Sequence, residues 1–297
     1  MDTGQGLVLL SVLVQSVGKV LYGTLLGGVP IALFVLLSFC LCAGVFLWVV
    51  RGHMPRVGRR HLVYLNLWTP LAFFTFFYAL KHLPPAVVGA IEIGVSLVVA
   101  SVLVGLRSHA WPRRLRFVVF TSIVFGCALV AASEVPDALA ALDAPEVWLA
   151  LLASAVAGVA SVFTAATSRR LAAAGWSSAT VLAHRFYVTI ILALLLFPFE
   201  QSTLALPDPP VLALTLLVGA VGVLVPLLLF QMALRRIDEL TLMICLAAQP
   251  LLSYFIALPS PAYDWNWVTL AGVGVVTGSL VLDVLASRRM TSVARPG

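Results

Sequence analysis

The chain has 297 residues, of which 62% are hydrophobic and 10% charged, and its mean hydropathy is +1.09. Because soluble globular chains are about half apolar and a quarter charged, this composition excludes a soluble enzyme, a disordered protein and a coiled coil. The formal net charge of +6 comes from basic residues placed between apolar segments rather than on one folded face, so we expect no nucleic-acid partner. The composition predicts an all-α polytopic membrane protein.

Ten apolar segments follow one another along the chain, each close to the roughly 20 residues that a membrane-spanning helix needs. Their long runs do not alternate between polar and apolar residues, which favours helices over barrel strands. In chain order they cover residues 6–26, 29–50, 62–81, 85–106, 116–134, 146–168, 177–199, 210–233, 240–258 and 267–286. The loops between them are too short for a soluble domain, so we expect the function to lie among the helices.

The distribution of basic residues predicts the topology. With a cytoplasmic N-terminus, fifteen of the 18 Lys and Arg residues fall in cytoplasmic loops or the C-terminal tail, and one, Lys81, falls in an outer loop. Short cytoplasmic loops carry an excess of Lys and Arg, so both termini are predicted to be cytoplasmic, in a multi-pass protein of the cell membrane. The arginines in these loops are expected to contact anionic membrane lipid.

A short internal repeat relates the two halves of the chain. Ala79–Leu83 (ALKHL) at the end of the third segment resembles Ala233–Ile237 (ALRRI) at the end of the eighth, at an offset of 154 residues. Because each half has five segments, an odd number, the second half inserts upside down. We therefore predict one membrane domain made of two inverted five-helix repeats, residues 1–144 and 145–297, an architecture used by transporters with a site near the midplane.

Three charged residues, Lys19, Glu92 and Arg185, lie well inside apolar segments. Each costs at least about 2.5–3.5 kcal/mol at a helix centre, so such residues are functional candidates. Counting from the predicted outer helix ends places Lys19 and Glu92 at one depth, about 12 Å, which allows an ion pair across a cavity. We expect one or both to contact the substrate or a coupling proton; a purely structural pair is the alternative. Arg185 is expected to reach towards the cytoplasm as a structural or gating residue.

Polar side chains recur on one face of five segments, which suggests a shared wet centre. These stripes are Ser11, Gln15, Lys19 and Tyr22 in the first segment; Asn66, Thr69, Phe73 and Phe77 in the third; Gly89, Glu92 and Ser96 in the fourth; Ser154, Ser161 and Ser168 in the sixth; and Thr241, Cys245, Gln249 and Ser253 in the ninth. For any single Ser or Thr, a hydrogen bond within its own helix or to a neighbouring helix is the alternative explanation.

Prolines, glycines and metal-binding residue types complete the candidate features. Pro70, Pro226 and Pro250 stand within segments three, eight and nine and are predicted hinges or kinks. Gly274 and Gly278 form a small-xxx-small motif in the tenth segment, which suits either packing within a monomer or a homodimer contact. The Cys and His residues have no metal-ligand spacing, so we expect neither a metal nor a cofactor.

Three local patterns resemble the EamA-type members of the drug/metabolite transporter superfamily. They are Phe77–Ala86 (FYALKHLPPA), Thr180–Phe186 (TVLAHRF) and Ala247–Leu252 (AAQPLL), and the resemblance extends over nearly the whole chain. Ser96 and Ser38 stand where the family often has a proline and an arginine, so the first half is less typical. The resemblance implies a ten-helix secondary carrier whose central cavity is bordered by helices one, three, four, six, eight and nine.

Together, the charged residues and the resemblance predict an alternating-access transporter, with no enzyme activity, that exports a small polar or zwitterionic, amino-acid-like metabolite. The predicted substrate-binding residues are Lys19 for an anionic group, Glu92 for an amine or a coupling proton, Gln15, Tyr22 and Gln249 for hydrogen bonds, and Phe73 and Phe77 for an apolar wall. The alternative is a proton-coupled multidrug or lipid-carrier exporter (a flippase) of the same fold, in which Glu92 alone would act on cations. The positive charge of Lys19 argues against that alternative.

Overall fold

The computed structural model describes residues 3–25, 28–107, 113–141, 143–200, 208–237, 242, 245–261 and 263–293. Within these ranges the chain is helical and contains no β-strand. The α-helices are α1 (Thr3–Leu25), α2 (Ile31–Val49), α3 (Arg59–His82), α4 (Pro85–Arg107), α5 (Arg113–Ala141), α6 (Ala144–Ala173), α7 (Ser178–His184), α8 (Tyr187–Glu200), α9 (Pro209–Gly219), α10 (Val225–Ala233), α11 (Gln249–Ala257) and α12 (Trp267–Val293). A π-helical segment, Ala220–Leu224, joins α9 to α10.

Over the described residues, seven helical stretches are long and apolar enough to cross a membrane, and three shorter stretches are also apolar. The shorter ones are Pro85–Ala100, Cys245–Ala257 and Trp267–Ser279. Large apolar side chains point away from the protein interior: Trp48 is 82% exposed, Phe199 86% and Trp267 71%. A large surface of exposed apolar side chains is suited to contact with lipid rather than with water. The chain is therefore an all-helical, multi-pass membrane protein.

Prolines stand at or immediately before the starts of three of these helices. Pro85 and Pro209 are the first residues of α4 and α9, and Pro30 immediately precedes α2. The first turn of a helix leaves its N–H groups unpaired, so a residue without an N–H costs nothing there. The first six predicted segments and the tenth each correspond to one helix, with boundaries that differ by up to seven residues.

The seventh, eighth and ninth segments depart from the single helix expected of each. The seventh divides into α7 and α8 at Arg185 and Phe186, and the eighth contains the π-helical segment. In the ninth, a turn at Ala248 precedes α11, while Thr241 lies outside the described residues. Hydrophobic periodicity continues through such local breaks, so the sequence pattern gives no sign of them.

The three predicted hinge prolines occupy two different settings. Pro70 lies inside α3, as predicted, and is buried. Pro226 and Pro250 are instead the second residues of α10 and α11, immediately after the π-helical segment and the turn at Ala248. Both prolines therefore adjoin a local departure from regular α-helix, and prolines and π-bulges are the usual sites of helix kinks.

The two halves of the chain approach each other closely where α1 crosses the π-helical segment. A Cβ atom added to Gly18 would lie 2.4 Å from the Cα of Gly222, a distance that no packed side chain tolerates. Because neither residue carries a side chain, the two backbones approach each other directly. This contact brings α1 and the eighth segment together beside an internal cavity, whose wall includes both glycines.

Candidate functional site

A cavity of about 170 Å³ lies between the helices near the Gly18–Gly222 contact. Its wall draws on α1, α2, α3, α4, α6, the break after α7, the eighth segment and the start of α11. The wall is mainly apolar; its aromatic members are Phe34, Phe73, Phe76, Phe77 and Phe230. Its ionisable members are Lys19, Glu92 and Arg185. An apolar pocket with a few converging polar groups is the usual form of a small-molecule site.

Lys19 and Glu92, the pair predicted to share a depth, form a salt bridge in this wall. Lys19 Nζ lies 3.2 Å from Glu92 Oε2, and the two side chains are only 5% and 14% exposed. Ser161 Oγ donates a hydrogen bond of 3.3 Å to the other oxygen, Glu92 Oε1. The ammonium group also lies 4.8 Å from the centroid of the Phe76 ring. Both buried charges therefore have partners, which lowers the cost of placing them between apolar helices.

Close packing of α4 on α6 fixes the position of Glu92. Ser96 Oγ donates to the backbone oxygens of both Glu92, at 2.7 Å, and Gly158, at 2.9 Å. A Cβ atom on Gly158 would lie 2.5 Å from the Glu92 backbone oxygen, so only glycine permits this approach. The carboxylate thus projects from a backbone that is held against its neighbour.

A chain of hydrogen bonds links both halves of the protein through Gln15. Gln249 Nε2 donates to Gln15 Oε1 at 3.0 Å, and Gln15 Nε2 donates to Ser11 Oγ at 3.2 Å. Ser11 Oγ in turn donates to the backbone oxygen of Pro226 at 2.8 Å. Both glutamines line the cavity, as does Pro226. The starts of α10 and α11 are therefore connected to α1 by polar groups at the cavity wall.

Arg185 does not reach towards a helix end, which corrects the sequence-based expectation. It lines the cavity and is 4% exposed, and its Nε donates to Thr69 Oγ1 at 3.1 Å. Its Cζ lies 5.8 Å from the Phe73 ring centroid and 5.7 Å from that of Phe186. The expectation assumed an unbroken seventh helix, in which the side chain could extend along the axis. The break between α7 and α8 redirects it inwards.

Asn66 compensates for the backbone hydrogen bond lost at that break. In a continuous helix, the Val188 N–H would bond to the His184 carbonyl. Here Val188 N donates to Asn66 Oδ1 at 3.4 Å, and Asn66 Nδ2 donates to His184 O at 2.9 Å. The side chain of α3 is therefore inserted between the two groups and satisfies both. Helical periodicity predicted that Asn66 lies on a polar stripe, but no sequence pattern indicated this backbone role.

Tyr22 is the predicted site residue that the structure does not place on the cavity wall. It is 1% exposed, and its ring packs 4.7 Å from Phe34 and 5.0 Å from Phe77, centroid to centroid. Its hydroxyl is buried without a hydrogen-bond partner among the described residues. Phe77 and Phe73 do line the cavity. The three-residue step from Lys19 to Tyr22 carries the tyrosine past the cavity and into an aromatic cluster.

A second cavity, of about 390 Å³, lies beyond Tyr22 along α1. Gly23 of α1 and Leu80 of α3 line it, whereas Lys19 and Phe77 line the first cavity. Its ionisable residues are Lys81, His82, Glu134, Tyr254, Tyr263 and Asp264. Burial, and then the charge of Glu134, raise the pKa of Tyr263. The aromatic cluster of Tyr22, Phe34 and Phe77 thus lies between an apolar inner cavity and a polar cavity at the helix ends.

Comparison with known proteins supports the fold. No model of a known protein family matches the chain, and no curated protein matches its sequence. The structure is similar to a protein whose crystal structure is solved, with a TM-score of 0.68 and 21% sequence identity over 97% of this chain and 99% of that chain. At this identity the similarity shows a shared fold over almost the whole length. Among the described residues, no group of three or more His, Cys, Asp and Glu side chains is placed to hold a metal ion.

Proposed function

We propose that the protein is a secondary-active transporter of a small polar or zwitterionic metabolite, resembling amino acids, and that it works by alternating access as an exporter of the EamA type. The observation that carries the proposal is the cavity between membrane helices whose wall holds the Lys19–Glu92 salt bridge. Charged pairs are expensive inside a membrane, and they mark substrate and ion pathways there. The proposed protein has ten membrane crossings and cytoplasmic termini, in the cytoplasmic membrane, as a monomer or a homodimer.

The pattern of helix contacts supports two structural repeats related by a two-fold axis. Suppose that each segment of the first half is matched with the segment five places later. The contact of α1 with α10 in segment eight then corresponds to that of α3 with α6, and the contact of α1 with α11 in segment nine corresponds to that of α4 with α6. Three further contacts join a segment to its own match five places later, so the matching only exchanges their two partners. They are the contacts of α5 with α12, of α4 with α11 and of α2 with α7 and α8. An exchange of this kind is expected when two copies of one unit pack about a two-fold axis; the odd number of five segments in each proposed repeat is what makes the second copy inverted.

The two cavities support alternating access. The predicted topology places the polar cavity on the outer side, and the aromatic cluster around Tyr22 separates it from the inner cavity. For cargo to pass outward, Tyr22, Phe34 and Phe77 have to separate while the other side closes. The Gly18–Gly222 crossing, the π-helical segment and the break at Arg185 all adjoin the inner cavity, and irregular helices of this kind are where transporters bind substrate and move.

The residues of the inner cavity have distinct proposed roles. The ammonium group of Lys19 and the carboxylate of Glu92 offer opposite charges to a zwitterion, each exchanging its present partner for a group of the cargo. Glu92 is also the proposed proton-coupling residue. The amides of Gln15 and Gln249 contribute hydrogen bonds, and Phe73 and Phe77 form an apolar wall. The alternative, a multidrug or lipid-carrier exporter acting on cations, is disfavoured because the wall carries two cations and one carboxylate.

Counterflow in proteoliposomes tests the proposal. Liposomes with the purified protein are loaded with each unlabelled amino acid in turn, and uptake of the same labelled compound is followed. We expect uptake of at least one compound that protein-free liposomes do not show. A panel that also contains lipophilic cations separates the two candidates: uptake of cations alone would support the multidrug alternative, and no uptake of any compound would contradict a carrier of small metabolites.

A further inference from the structure

Arg185 is a buried cation whose charge no described group balances. Lys19 and Glu92 neutralise each other, and no second salt bridge occurs among the described residues. No carboxylate in that part of the chain lies within 4.0 Å of the Arg185 guanidinium group. Its recorded contacts are the Thr69 hydroxyl and two aromatic rings, which carry no formal charge. Since an unpaired charge buried among apolar helices is costly, its presence calls for a compensating group.

The surroundings of Arg185 point to a ligand as that group. The residue lines the inner cavity, so a molecule in the cavity reaches it. Ser168, on the same wall, is 1% exposed, and its Oγ has no hydrogen-bond partner among the described residues. Buried hydroxyl groups are nearly always hydrogen-bonded, so the Ser168 hydroxyl is available to donate a hydrogen bond to a ligand. The wall of one cavity therefore carries both a guanidinium group and a hydroxyl donor, two kinds of group that bind carboxylates.

We propose that Arg185 binds the carboxylate of the cargo, and that the cargo is a small carboxylate with an apolar body, with or without an amino group. This inference rests on the proposed function and deepens it, because it transfers the anion-binding role from Lys19 to Arg185. The Thr69 contact holds the guanidinium through Nε, and among the described residues its two terminal nitrogens have no hydrogen-bond acceptor, so both can serve a bidentate contact. The aromatic and aliphatic wall suits the body of the ligand. The volume, about 170 Å³, is close to that of a cavity known to hold one benzene molecule.

The test measures binding of matched carboxylates and amides to the purified, detergent-solubilised protein. The probes are 4-methylvalerate with 4-methylvaleramide, and leucine with leucinamide, which differ within each pair by the anionic group. We expect the wild-type protein to bind each carboxylate at least about tenfold more tightly than its amide. A hydrogen bond to a charged group contributes enough binding free energy for a difference of this size. Arg185→Gln should abolish this preference and weaken carboxylate binding by about 10- to 100-fold, with amide binding unchanged.

Two further variants make the result specific. Arg185→Lys keeps a cation and should restore a part of the carboxylate preference, which also controls for misfolding of the Gln variant. Arg170→Gln removes an exposed charge of α6 outside the cavity and should leave the preference as in the wild type. The inference is overturned if the wild type does not prefer carboxylates, if Arg185→Gln keeps the preference, or if Lys19→Met abolishes it while Arg185→Gln does not.

The same measurements separate this inference from the proposed function. Carboxylate binding that depends on Arg185, in a protein that carries nothing across proteoliposomes, would uphold the anion site and contradict the transporter. Transport of a carboxylate that is as fast with Arg185→Gln as with the wild type would uphold the transporter and contradict the anion site.

Discussion

Lys19 of α1 and Glu92 of α4 form a salt bridge of 3.2 Å at the wall of a cavity inside the membrane helices. Each charge is tolerable there because the other is present. If one partner is removed, the other remains as a buried, uncompensated charge, which costs about 3–5 kcal/mol. The double variant Lys19→Met/Glu92→Gln should therefore have a higher melting temperature in detergent than either single variant. Melting temperatures that fall additively would contradict an energetic coupling between the two residues.

The glycine crossing of α1 and the π-helical segment should tolerate no side chain. Gly18→Ala places a Cβ atom 2.4 Å from the Gly222 Cα, so the helices have to separate, and we expect a loss of about 1–3 kcal/mol in stability. Gly44→Ala is the matched control, because it lies inside α2 with open space around its Cβ position. Alanine favours a helix over glycine by up to about 1 kcal/mol, so this control should be neutral or stabilising. Thermal unfolding of both variants checks the prediction, and equal melting temperatures would contradict it.

Asn66 should stabilise the break between α7 and α8. Asn66→Ala leaves the Val188 N–H and the His184 carbonyl without a side-chain partner, and each buried unpaired group costs about 1–3 kcal/mol. Thr75→Ala, a half-buried position of the same helix whose hydroxyl donates only to its own helix, should change stability by less than about 0.5 kcal/mol. Hydrogen exchange of residues 184–190 gives a local readout: we expect faster exchange in Asn66→Ala alone. Unchanged exchange would show that the break does not depend on Asn66.

The Tyr22 hydroxyl should be dispensable, and its ring should not. Tyr22→Phe removes a buried hydroxyl that has no partner among the described residues, so stability should stay the same or rise. Tyr22→Ala also removes the ring that packs on Phe34 and Phe77, and we expect a loss of about 3–5 kcal/mol. Melting temperatures of the two variants separate these cases. A large loss with Tyr22→Phe would mean that the hydroxyl has a partner in the membrane-embedded protein.

The sequence alone predicted much of the helical layout, because hydrophobic runs of membrane length and prolines at helix starts are local signals. It also brought out Lys19 and Glu92, since charges are rare in such runs and a common depth follows from simple counting. The route of Arg185 was not predictable in this way. Its direction depends on a break at Arg185 and Phe186 that Asn66, more than a hundred positions earlier in the chain, compensates.

Tyr22 shows the same limit at a smaller scale. Its spacing from Lys19 put it on the polar stripe of the first segment, and helical periodicity alone could not tell where along that stripe the cavity ends. The end of the cavity is set by Phe34 and Phe77, which come from two other helices. Site residues whose position follows from the periodicity of one helix were therefore predictable. Residues whose position depends on contacts between helices were not.

The most direct test of the central claim is uptake by proteoliposomes of a compound that the wild-type protein transports in counterflow, measured for Lys19→Ala and Glu92→Gln. Detergent-purified variants with wild-type elution profiles are reconstituted at equal density, with Thr75→Ala as a control of the same preparation. We expect both cavity variants to lose most of the uptake and the control to keep it. Full transport by both Lys19→Ala and Glu92→Gln would contradict the account, because the salt bridge would then have no part in carrying the substrate.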